Sequence, residues 1–318
     1  RGGPYGGKKY FSPYGNPKLE DGPDGEHLPA RLAEETSRFI ESCGDAPFFA
    51  TLSFYSVHTP LMAREDLRKK YEARALEREV PRPRWGEEGR RKVRLIQDHA
   101  VYAGMVEAMD QAVGAVLDTL ERTGLADRTI VVFFSDNGGL STSEGHPTSN
   151  LPLRAGKGWL YEGGIREPMI VRWPGVTEAG SVCEVPVLST DFFPTWLEGI
   201  GGAVDGERPL DGVSIVPLLR GSDPLPESLT DRALFWHYPH YGNQGGSPSS
   251  AIRVGDWKLL EFFEDDRIEL YDLAKDLGET TDLSSTESER ATALHERLQA
   301  WRASLEVSLP RRRPDEQD

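Results

Sequence analysis

The sequence predicts an α/β protein: a mostly parallel sheet flanked by helices, followed by a small C-terminal antiparallel sheet and a closing helix. Apolar runs at residues 47–54 and 129–135 are typical of fully buried strands. The helical stripe between them implies a right-handed crossover and hence parallel strands. After residue 232, short strand patterns follow one another without helices, which indicates an antiparallel sheet.

Apolar periodicity and turn residues place the individual elements. A helix begins near Leu28, with Pro29 suited to its first turn. The charge pattern of residues 64–94 predicts a solvent-exposed helical segment that is interrupted by prolines. A long helix then runs from about Leu95, and Gly124 is a typical helix stop.

The second half of the chain is predicted to hold one more strand of the main sheet and then a separate small sheet. Asp191 has the side chain of a helix N-cap and is followed by an early proline. The predicted elements are a strand at 168–173, strands at 233–238, 250–254, 257–263 and 267–272, and a helix at about 287–304. The predicted domains are residues 1–222, residues 223–308 and a disordered tail at 309–318.

Composition excludes several classes of protein. The 318 residues carry a formal net charge of −15, which disfavours a general nucleic-acid binder. No apolar run approaches the roughly 18 residues of a membrane span. Cys43 and Cys183 are too few for a disulfide framework or a thiolate zinc site. An anionic ligand would therefore need a local cluster of positive groups.

The sharpest local feature is Ser-Asp-Asn-Gly-Gly at residues 135–139, directly after a predicted strand. Ligands gather at the carboxyl ends of strands in open α/β sheets. Asp136 and Asn137 offer oxygen ligands that suit Ca²⁺ or Mg²⁺ better than zinc. The alternative is a simple turn, since Asn-Gly is a strong turn signal. Two ligands are too few for calcium, so further carboxylates must come from elsewhere.

Two cationic side chains could contact an anion. His58 follows the 47–54 strand, where it could protonate a leaving group or be an incidental loop residue. Lys157 lies between two glycines that allow close backbone approach, but the segment is no P-loop, since Gly158 stands where Ser or Thr is required. His146 and Arg154 are lesser candidates, expected to be structural or peripheral.

Several motifs, in this order, resemble the type I sulfatases, the arylsulfatase-like branch of the alkaline phosphatase superfamily. The likeness runs over nearly the whole chain, and the Asp-Asn-Gly-Gly and Gly-Lys-Gly blocks are specific in combination. The matching segments are Val-His-Thr-Pro-Leu at 57–61, Phe-Ser-Asp-Asn-Gly-Gly at 134–139, Ser-Asn-Leu-Pro-Leu-Arg-Ala-Gly-Lys-Gly at 149–158, Glu-Gly-Gly-Ile-Arg-Glu-Pro at 162–168, and Ile-Arg-Val-Gly-Asp-Trp-Lys-Leu at 252–259.

The resemblance implies roles for these residues. Asp136 and Asn137 would be two of the metal ligands, normally for Ca²⁺, with Mg²⁺ as the alternative. His58 and Lys157 would contact the sulfate, with His58 placed to assist the leaving alcohol. The resemblance also implies a formylglycine nucleophile, made from Cys or Ser in Cys/Ser-x-Pro/Ala-x-Arg, and electrostatic compensation of charge on the sulfuryl oxygens.

The nucleophile motif is where this sequence departs from the family. Neither cysteine is followed by the required residues, and the one formal match, Ser249–Arg253, leads into a predicted strand instead of opening a helix. The family carries its nucleophile and two acidic metal ligands in an N-terminal segment, and the opening Arg-Gly-Gly-Pro-Tyr-Gly-Gly resembles the middle of a loop. We therefore expect this chain alone to have little sulfatase activity and weak Ca²⁺ affinity.

The aromatic segment at 236–241 precedes a glycine-rich loop and could stack on a sugar ring or pack the small sheet. His237 is accordingly a candidate substrate-rim residue. The leading interpretation is a sulfuric ester hydrolase acting on a sulfated carbohydrate, without a nucleic-acid partner. The alternatives are a phosphate or phosphonate monoester hydrolase and a non-catalytic domain that binds sulfated glycans. The family resemblance implies a periplasmic or secreted location.

Overall fold

A computed structural model describes residues 9–77, 79, 82–203 and 210–310. The chain forms two compact units. The first unit comprises the residues up to Gly86 together with Arg94–Thr129 and Glu144–Ser149. The second comprises Glu87–Val93, Ile130–Ser143 and the residues from Asn150 onward.

The first unit is built on three helices: α1 (Leu28–Cys43), α2 (Glu65–Leu76) and α3 (Ala100–Arg122). Both α1 and α2 pack against α3. Gly124 follows α3 with φ +71, a left-handed conformation that glycine adopts without steric cost, so the predicted helix stop is confirmed. Tyr10, Leu28 and Met105 are buried together in a cluster of this unit.

The 64–94 segment is only partly the predicted helical excursion. Its first part is α2, whose surface is laced with short-range ion pairs such as Arg68 with Glu65. Its last part forms a hairpin that was not predicted, β1 (Trp85–Glu88) and β2 (Arg91–Arg94). The two-residue connection of this hairpin includes Gly89 at φ +55, a turn conformation that the charge pattern did not reveal.

The first predicted strand differs most from the structure. Residues 47–54 are irregular, and the Phe49 side chain is 78% exposed. Apolar composition alone cannot create a strand, because the ladder also needs a partner to satisfy its backbone groups. The predicted crossover therefore has no first strand among the described residues.

The predicted strands at 129–135 and 168–173 do form, as β3 (Val131–Phe134) and β4 (Met169–Arg172). They pair antiparallel, with Val131 opposite Arg172 and Phe134 opposite Met169. The expectation of a mostly parallel sheet is therefore not met in the described residues. The strand–helix–strand order favours parallel neighbours only when both strands join one sheet, which 47–54 does not do.

The C-terminal prediction of four antiparallel strands and a helix is confirmed. The second unit holds a four-stranded sheet in which neighbours in the chain are neighbours in space. One face packs on the closing helix through Ile252, Leu259 and Leu270. The elements are β5 (Ala233–Tyr238), β6 (Ser249–Val254), β7 (Trp257–Phe262), β8 (Ile268–Asp272) and α8 (Ser288–Ser304).

The opposite face of this sheet packs against the Ala155–Tyr161 segment. Ala155 and Tyr161 are buried with Ala251, Leu260 and Tyr271 in one apolar cluster. The sheet thus has a core on each face, one shared with α8 and one shared with the glycine-rich segment around Lys157. This second core matters because it fixes a predicted site segment to a rigid support.

Short helices complete the second unit: α4 (Glu162–Ile165), α5 (Phe192–Gly199), α6 (Val216–Leu219) and α7 (Glu227–Thr230). The predicted α5 forms, but Asp191 does not cap it. Its buried carboxylate instead accepts hydrogen bonds from the Leu188 and Val213 amides and pairs with Arg232. The side chain thus ties loops together because Arg232 offers a stronger, charged donor than the helix amides.

No helix within the described ranges is both long enough and apolar enough to cross a membrane. The predicted domain limits at residues 222 and 308 stay predictions. For the predicted tail, residues 311–318 lie outside the part of the chain that the structure describes.

Candidate functional site

The loop after β3 carries Asp136 and Asn137. Asp136 is exposed, and Asn137 donates its amide hydrogen to the Gly138 carbonyl at 3.2 Å, so the amide oxygen is left to face other groups. The Gly138 N–H donates to the Gly164 carbonyl at 3.1 Å. A Cβ on Gly138 would lie 1.8 Å from the Gly163 oxygen, so only glycine permits this approach.

The loop that carries Lys157 adjoins the same segment. The Lys157 N–H donates to the Gly139 carbonyl at 3.2 Å. A Cβ on Gly156 would lie 2.3 Å from that oxygen. The two glycine-rich segments are therefore locked backbone to backbone, which brings Asp136, Asn137 and Lys157 onto adjoining loops of one unit.

Arg154, at the start of the Lys157 loop, has a structural role, as predicted. Its guanidinium makes a two-pronged bond to Glu88 at 2.8 and 3.0 Å and donates to the Glu279 carbonyl at 2.8 Å. It also stacks 3.8 Å from the ring centroid of Tyr161. With its donors engaged in this way, Arg154 anchors the loop to the C-terminal sheet.

Glu167 lies close enough to Asp136 for their charges to interact. Burial, and then the Asp136 carboxylate, raise the pKa of Glu167 to about 7. Its Oε1 is buried without a hydrogen-bond partner among the described residues. A buried carboxylate oxygen without a partner, close to the Asp136 charge, is the kind of group that a hard cation prefers. Sequence reasoning missed Glu167, although it lies in the matched Glu162–Pro168 block.

These groups do not amount to a complete metal site. The described residues contain no group of three or more His, Cys, Asp or Glu side chains placed to hold a metal ion. Calcium takes about 6–8 oxygen ligands. The oxygen donors of Asp136, Asn137 and Glu167 could fill only part of such a shell, and the role of Asp136 and Asn137 as metal ligands stays a prediction.

His58 belongs to the first unit, whereas the two glycine-rich loops belong to the second. Its Nδ1 lies 2.8 Å from the Thr59 carbonyl, which can only accept, so Nδ1 carries a hydrogen. The backbone here is fixed because the Tyr10 hydroxyl donates to the carbonyls of Tyr55 and His58 at 2.7 and 2.9 Å. This leaves Nε2 as the nitrogen for chemistry. His146, the other lesser candidate, packs edge-on against Trp85.

His237 lies on β5, where both of its ring nitrogens meet protein groups. Nδ1 is 2.7 Å from the Ser250 hydroxyl, and Nε2 is 3.3 Å from the Ser308 carbonyl. Nearby, His240 packs edge-on against Tyr238 at 5.3 Å, and Tyr241 is 70% exposed. The role of His237 at a substrate rim stays a prediction. In this aromatic segment, Tyr241 has an exposed ring on which a sugar could stack.

The structure also bears on the nucleophile motif. The formal match at residues 249–253 lies within β6, between β5 and β7. Ser249, which occupies the nucleophile position of the motif, is only 3% exposed. A serine buried in a strand of the sheet leaves no room for a reacting ester, so the structure agrees with the predicted strand in excluding this match.

The family relationship is shown by comparison with known proteins. The profile of the sulfatase family matches residues 3–202. A second profile, N-sulphoglucosamine sulphohydrolase, C-terminal, matches residues 155–304. The chain has α/β content, with two interlocked glycine-rich loops that carry Asp136, Asn137 and Lys157. The chain belongs to the sulfatase family.

Two curated relatives illustrate the extent of the match. A sulfatase of Formosa agariphila is 36% identical over 309 residues, which cover 90% of this chain and 52% of that protein. Human steryl-sulfatase is 32% identical over 218 residues, which cover 67% of this chain and 32% of the relative. The chain thus spans about half the length of the first relative and a third of the second.

Solved structures share the fold. Ps i-CgsB, solved in complex with k-i-k-neocarrahexaose, superposes with a TM-score of 0.71 at 26% identity and covers 89% of this chain and 56% of its own. BT4656, solved with its substrate D-glucosamine-2-N,6-O-disulfate, gives a TM-score of 0.55 at 27% identity, over 69% of this chain and 42% of its own. The phosphonate monoester hydrolase of Agrobacterium radiobacter gives 0.61 at 25% identity, over 87% and 60%.

Proposed function

We propose that the protein carrying this chain is a sulfuric ester hydrolase. The observation that carries the proposal is the interlocking of the Asp136–Asn137 loop with the Lys157 loop inside a chain of the sulfatase family. A sulfate ester needs positive charge opposite its oxygens as the ester bond breaks. In this proposal, Asp136 and Asn137 bind the cation and Lys157 supplies a second positive charge from the adjoining loop.

Lys157 would face the sulfuryl oxygens, where its compact ammonium offsets charge that grows as the leaving oxygen departs. Asp136 and Asn137 would hold Ca²⁺, or Mg²⁺ as the alternative, and the orphaned Glu167 oxygen supports a cation at this place. When bound, that cation supplies further electrostatic stabilisation of the sulfate group.

His58 would act on the leaving alcohol. Since Nδ1–H is donated to the Thr59 carbonyl, the imidazolium form of His58 presents its second hydrogen on Nε2. That hydrogen can pass to the departing oxygen as the ester bond breaks. The nucleophile in this proposal is a formylglycine, and neither Cys43 nor Cys183 has the sequence context to become one.

The proposed substrate class is a sulfated carbohydrate. Support comes from the similarity to Ps i-CgsB, solved with a neocarrahexaose, and to BT4656, solved with a sulfated glucosamine. The exposed Tyr241 near His237 offers a ring on which a sugar can stack. We also propose a periplasmic or secreted location. A mostly parallel, alkaline phosphatase-like sheet is a further part of the proposal, and the TM-score of 0.71 with Ps i-CgsB supports it.

The test is hydrolysis of aryl sulfate and aryl phosphate by the full-length protein encoded by its gene, produced where formylglycine forms. Sulfate turnover should exceed phosphate turnover. Lys157→Met should lower kcat/KM for the sulfate by about 100-fold or more, since removing one charge-stabilising donor costs that much in other hydrolases. The matched control is Lys275→Met, an exposed lysine paired with Asp272, which should change kcat/KM less than twofold.

Three outcomes would contradict the proposal. A preference for phosphate or phosphonate esters would favour the alternative, a phosphate or phosphonate monoester hydrolase. The similarity to the phosphonate monoester hydrolase supports that alternative. Binding of sulfated glycans without turnover of any ester would indicate the non-catalytic alternative. Equal loss of activity in Lys157→Met and Lys275→Met would show that Lys157 has no specific role in the reaction.

A further inference from the structure

Three charged side chains are buried at the centre of the second unit. Glu162, Lys258 and Glu279 are each no more than 1% exposed. The Lys258 ammonium donates to Glu162 Oε1 at 2.9 Å and forms an ion pair with Glu279 Oε1 at 2.9 Å. We call these three side chains the buried ion network. Charges are rarely buried this completely, because the loss of hydration must be offset by close partners.

Arginines balance the second negative charge of the network. Arg253 lies 3.3 Å from Glu162 Oε2, and the more exposed Arg166 lies 3.8 Å from the same oxygen. Lys258 and Arg253 are on neighbouring strands β7 and β6, where they are paired across the ladder. The C-terminal sheet therefore presents two cations to the two carboxylates.

The network connects directly to the Asp136–Asn137 loop. The Glu162 N–H donates to Glu279 Oε2 at 2.6 Å, which fixes the first residue of α4. The next residues of α4 are Gly163 and Gly164, and the Gly164 carbonyl accepts from the Gly138 N–H. The carbonyl that holds the loop therefore lies only two positions after the residue whose amide Glu279 fixes.

The network also reaches the loop that carries Lys157. The Gly163 N–H donates to the Arg154 carbonyl at 2.8 Å, and a Cβ on Gly164 would lie 2.1 Å from the Trp159 oxygen. The guanidinium of Arg154 returns to the Glu279 carbonyl. Both candidate loops are therefore tied to backbone or side-chain atoms of Glu162 and Glu279.

Two residues with strained backbone conformations also indicate that the network supports the loops. Glu279 has φ +50 and Ala155 has φ +58, a left-handed region that non-glycine residues seldom occupy. Such strain persists where the surrounding contacts over-determine the conformation, and it concentrates at functional sites. One of these residues belongs to the network and the other lies in the Lys157 loop, so the strained positions flank the connection.

We propose that Glu162, Lys258 and Glu279 are positioning residues, which hold the turn at Gly163–Gly164 so that Asp136, Asn137 and Lys157 keep their mutual arrangement. This inference rests on the proposed function, because it takes those three residues to be the ligand-binding groups. The network itself does not touch the substrate. Its role is to support both loops from the C-terminal sheet.

The test compares Glu279→Gln with Glu279→Met in this chain. Both changes remove the same negative charge at nearly the same size, but only glutamine keeps an oxygen that can accept from the Glu162 N–H. The measurement is hydrogen exchange of the Gly138 and Lys157 amides. We expect Glu279→Met to raise their exchange at least tenfold, and Glu279→Gln to stay within threefold of the parent chain. The reference amides are Leu260 and Leu270 in the sheet core, which should change less than threefold in both variants.

Three results would overturn the inference. The two variants could raise exchange equally, which would make charge balance alone responsible. The Leu260 and Leu270 amides could follow the loop amides, which would mean general destabilisation. The loop amides could also keep their protection in Glu279→Met. If Glu279→Met does not fold, Glu162→Gln and Glu162→Met provide the same matched pair, with the Glu162 oxygen that accepts from Lys258 as the contact tested.

A second measurement connects the network to the reaction. In the full-length protein, Glu279→Met should lower kcat/KM for an aryl sulfate at least tenfold relative to Glu279→Gln, while the melting temperatures of the two differ little. Loss of kcat/KM only in step with melting temperature would contradict a positioning role. The exchange experiment contains no cation, nucleophile or substrate. A failed sulfatase assay with the expected exchange pattern would therefore disprove the proposed function and leave the positioning of the loops intact.

Discussion

The C-terminal sheet and the β3–β4 pair contrast sharply, although both lie in the second unit. Both faces of the sheet are covered, one by α8 and the other by the segment that carries Lys157. In β3–β4, by contrast, Ile170 is 65% exposed and Phe134 is 39% exposed. Both regions are apolar in sequence, but only the C-terminal sheet has its apolar side chains covered within the described residues.

The contrast teaches that apolar strands are covered most readily by segments that lie close to them in the chain. β6 and β7 are joined by a two-residue turn, and each of the four strands pairs with its neighbour in sequence. Such local pairing fixes register through the turn and the side-chain pattern. β3 and β4 are separated by more than thirty residues, and an isolated two-stranded pair is only marginally stable.

The largest effect on stability should come from truncating an isoleucine in the C-terminal sheet. The same truncation in β4 is the comparison and should have almost no effect. Ile252→Ala in β6 removes a fully buried side chain and should lower the free energy of unfolding by about 2–5 kcal/mol. Ile170→Ala in β4 removes an exposed side chain and should change it by less than about 0.5 kcal/mol. Chemical denaturation followed by far-UV circular dichroism measures both.

The two isoleucine variants form a direct control for each other. A cost above about 2 kcal/mol for Ile170→Ala would mean that β4 is covered in solution, and the contrast between the regions would disappear. A cost below about 1 kcal/mol for Ile252→Ala would instead mean that the β6 core is loosely packed. Either result would break the comparison.

The same contrast explains which parts of the fold were predictable. Strands β5–β8 and helix α8 were predicted within about two residues, because alternation, short turns and helix periodicity are local signals. The strand at 47–54 and the parallel sheet were not found, because pairing depends on partners far away in the sequence. The β1–β2 hairpin was missed because its charged residues hide the alternation.

The candidate site was predictable to the extent that its residues sit in compact motifs. Asp136, Asn137 and Lys157 lie in glycine-rich blocks, and the structure brings these blocks together through backbone bonds. Glu162 and Lys258 of the buried ion network also lie in matched segments, but the sequence does not show that they meet. Lys258 lies in a mostly apolar strand, and its partners Glu162 and Glu279 lie about 96 and 21 positions away, so only the folded chain reveals the contact.

The first unit contains the same contrast, with a covered part around His27 and an exposed part at 47–54. His27 is 4% exposed, donates Nε2–H to the Met62 carbonyl at 3.1 Å and stacks on Phe11. Burial is the largest cause that lowers its pKa to about 4; Arg64 acts in the same direction, while the hydrogen bond to Met62 and the charge of Asp66 oppose the shift. A buried neutral histidine makes the covered part sensitive to acid.

The sign of this dependence is set by the two pKa values. Unfolded His27 titrates near 6.5 and folded His27 near 4, so the unfolded state binds more protons between these values. The stability contribution is complete above pH 6.5 and is lost as the pH falls toward 4. At pH 5 the loss should be about 2 kcal/mol relative to about pH 7.5.

His27→Gln tests this expectation because glutamine cannot titrate. The free-energy difference between the parent chain and the variant should shrink by about 2 kcal/mol from about pH 7.5 to pH 5, and it should stay constant between about pH 7.5 and 8.5. Denaturant titrations at the three pH values measure it. A constant difference across all three would show that His27 reaches solvent, and that the covered part of the first unit is as open as 47–54.

The smallest effect should come from the exposed apolar run itself. Phe49→Ser removes an aromatic ring that is 78% exposed and should change the free energy of unfolding by less than about 0.5 kcal/mol. Met105→Ala, in the buried cluster of the same unit, is the contrasting change and should cost about 2–5 kcal/mol. Phe49→Ser should also reduce light scattering of concentrated samples, since exposed apolar segments with strand propensity promote aggregation. A cost for Phe49→Ser close to that of Met105→Ala would mean that residues 47–54 are buried in solution, as their sequence first predicted.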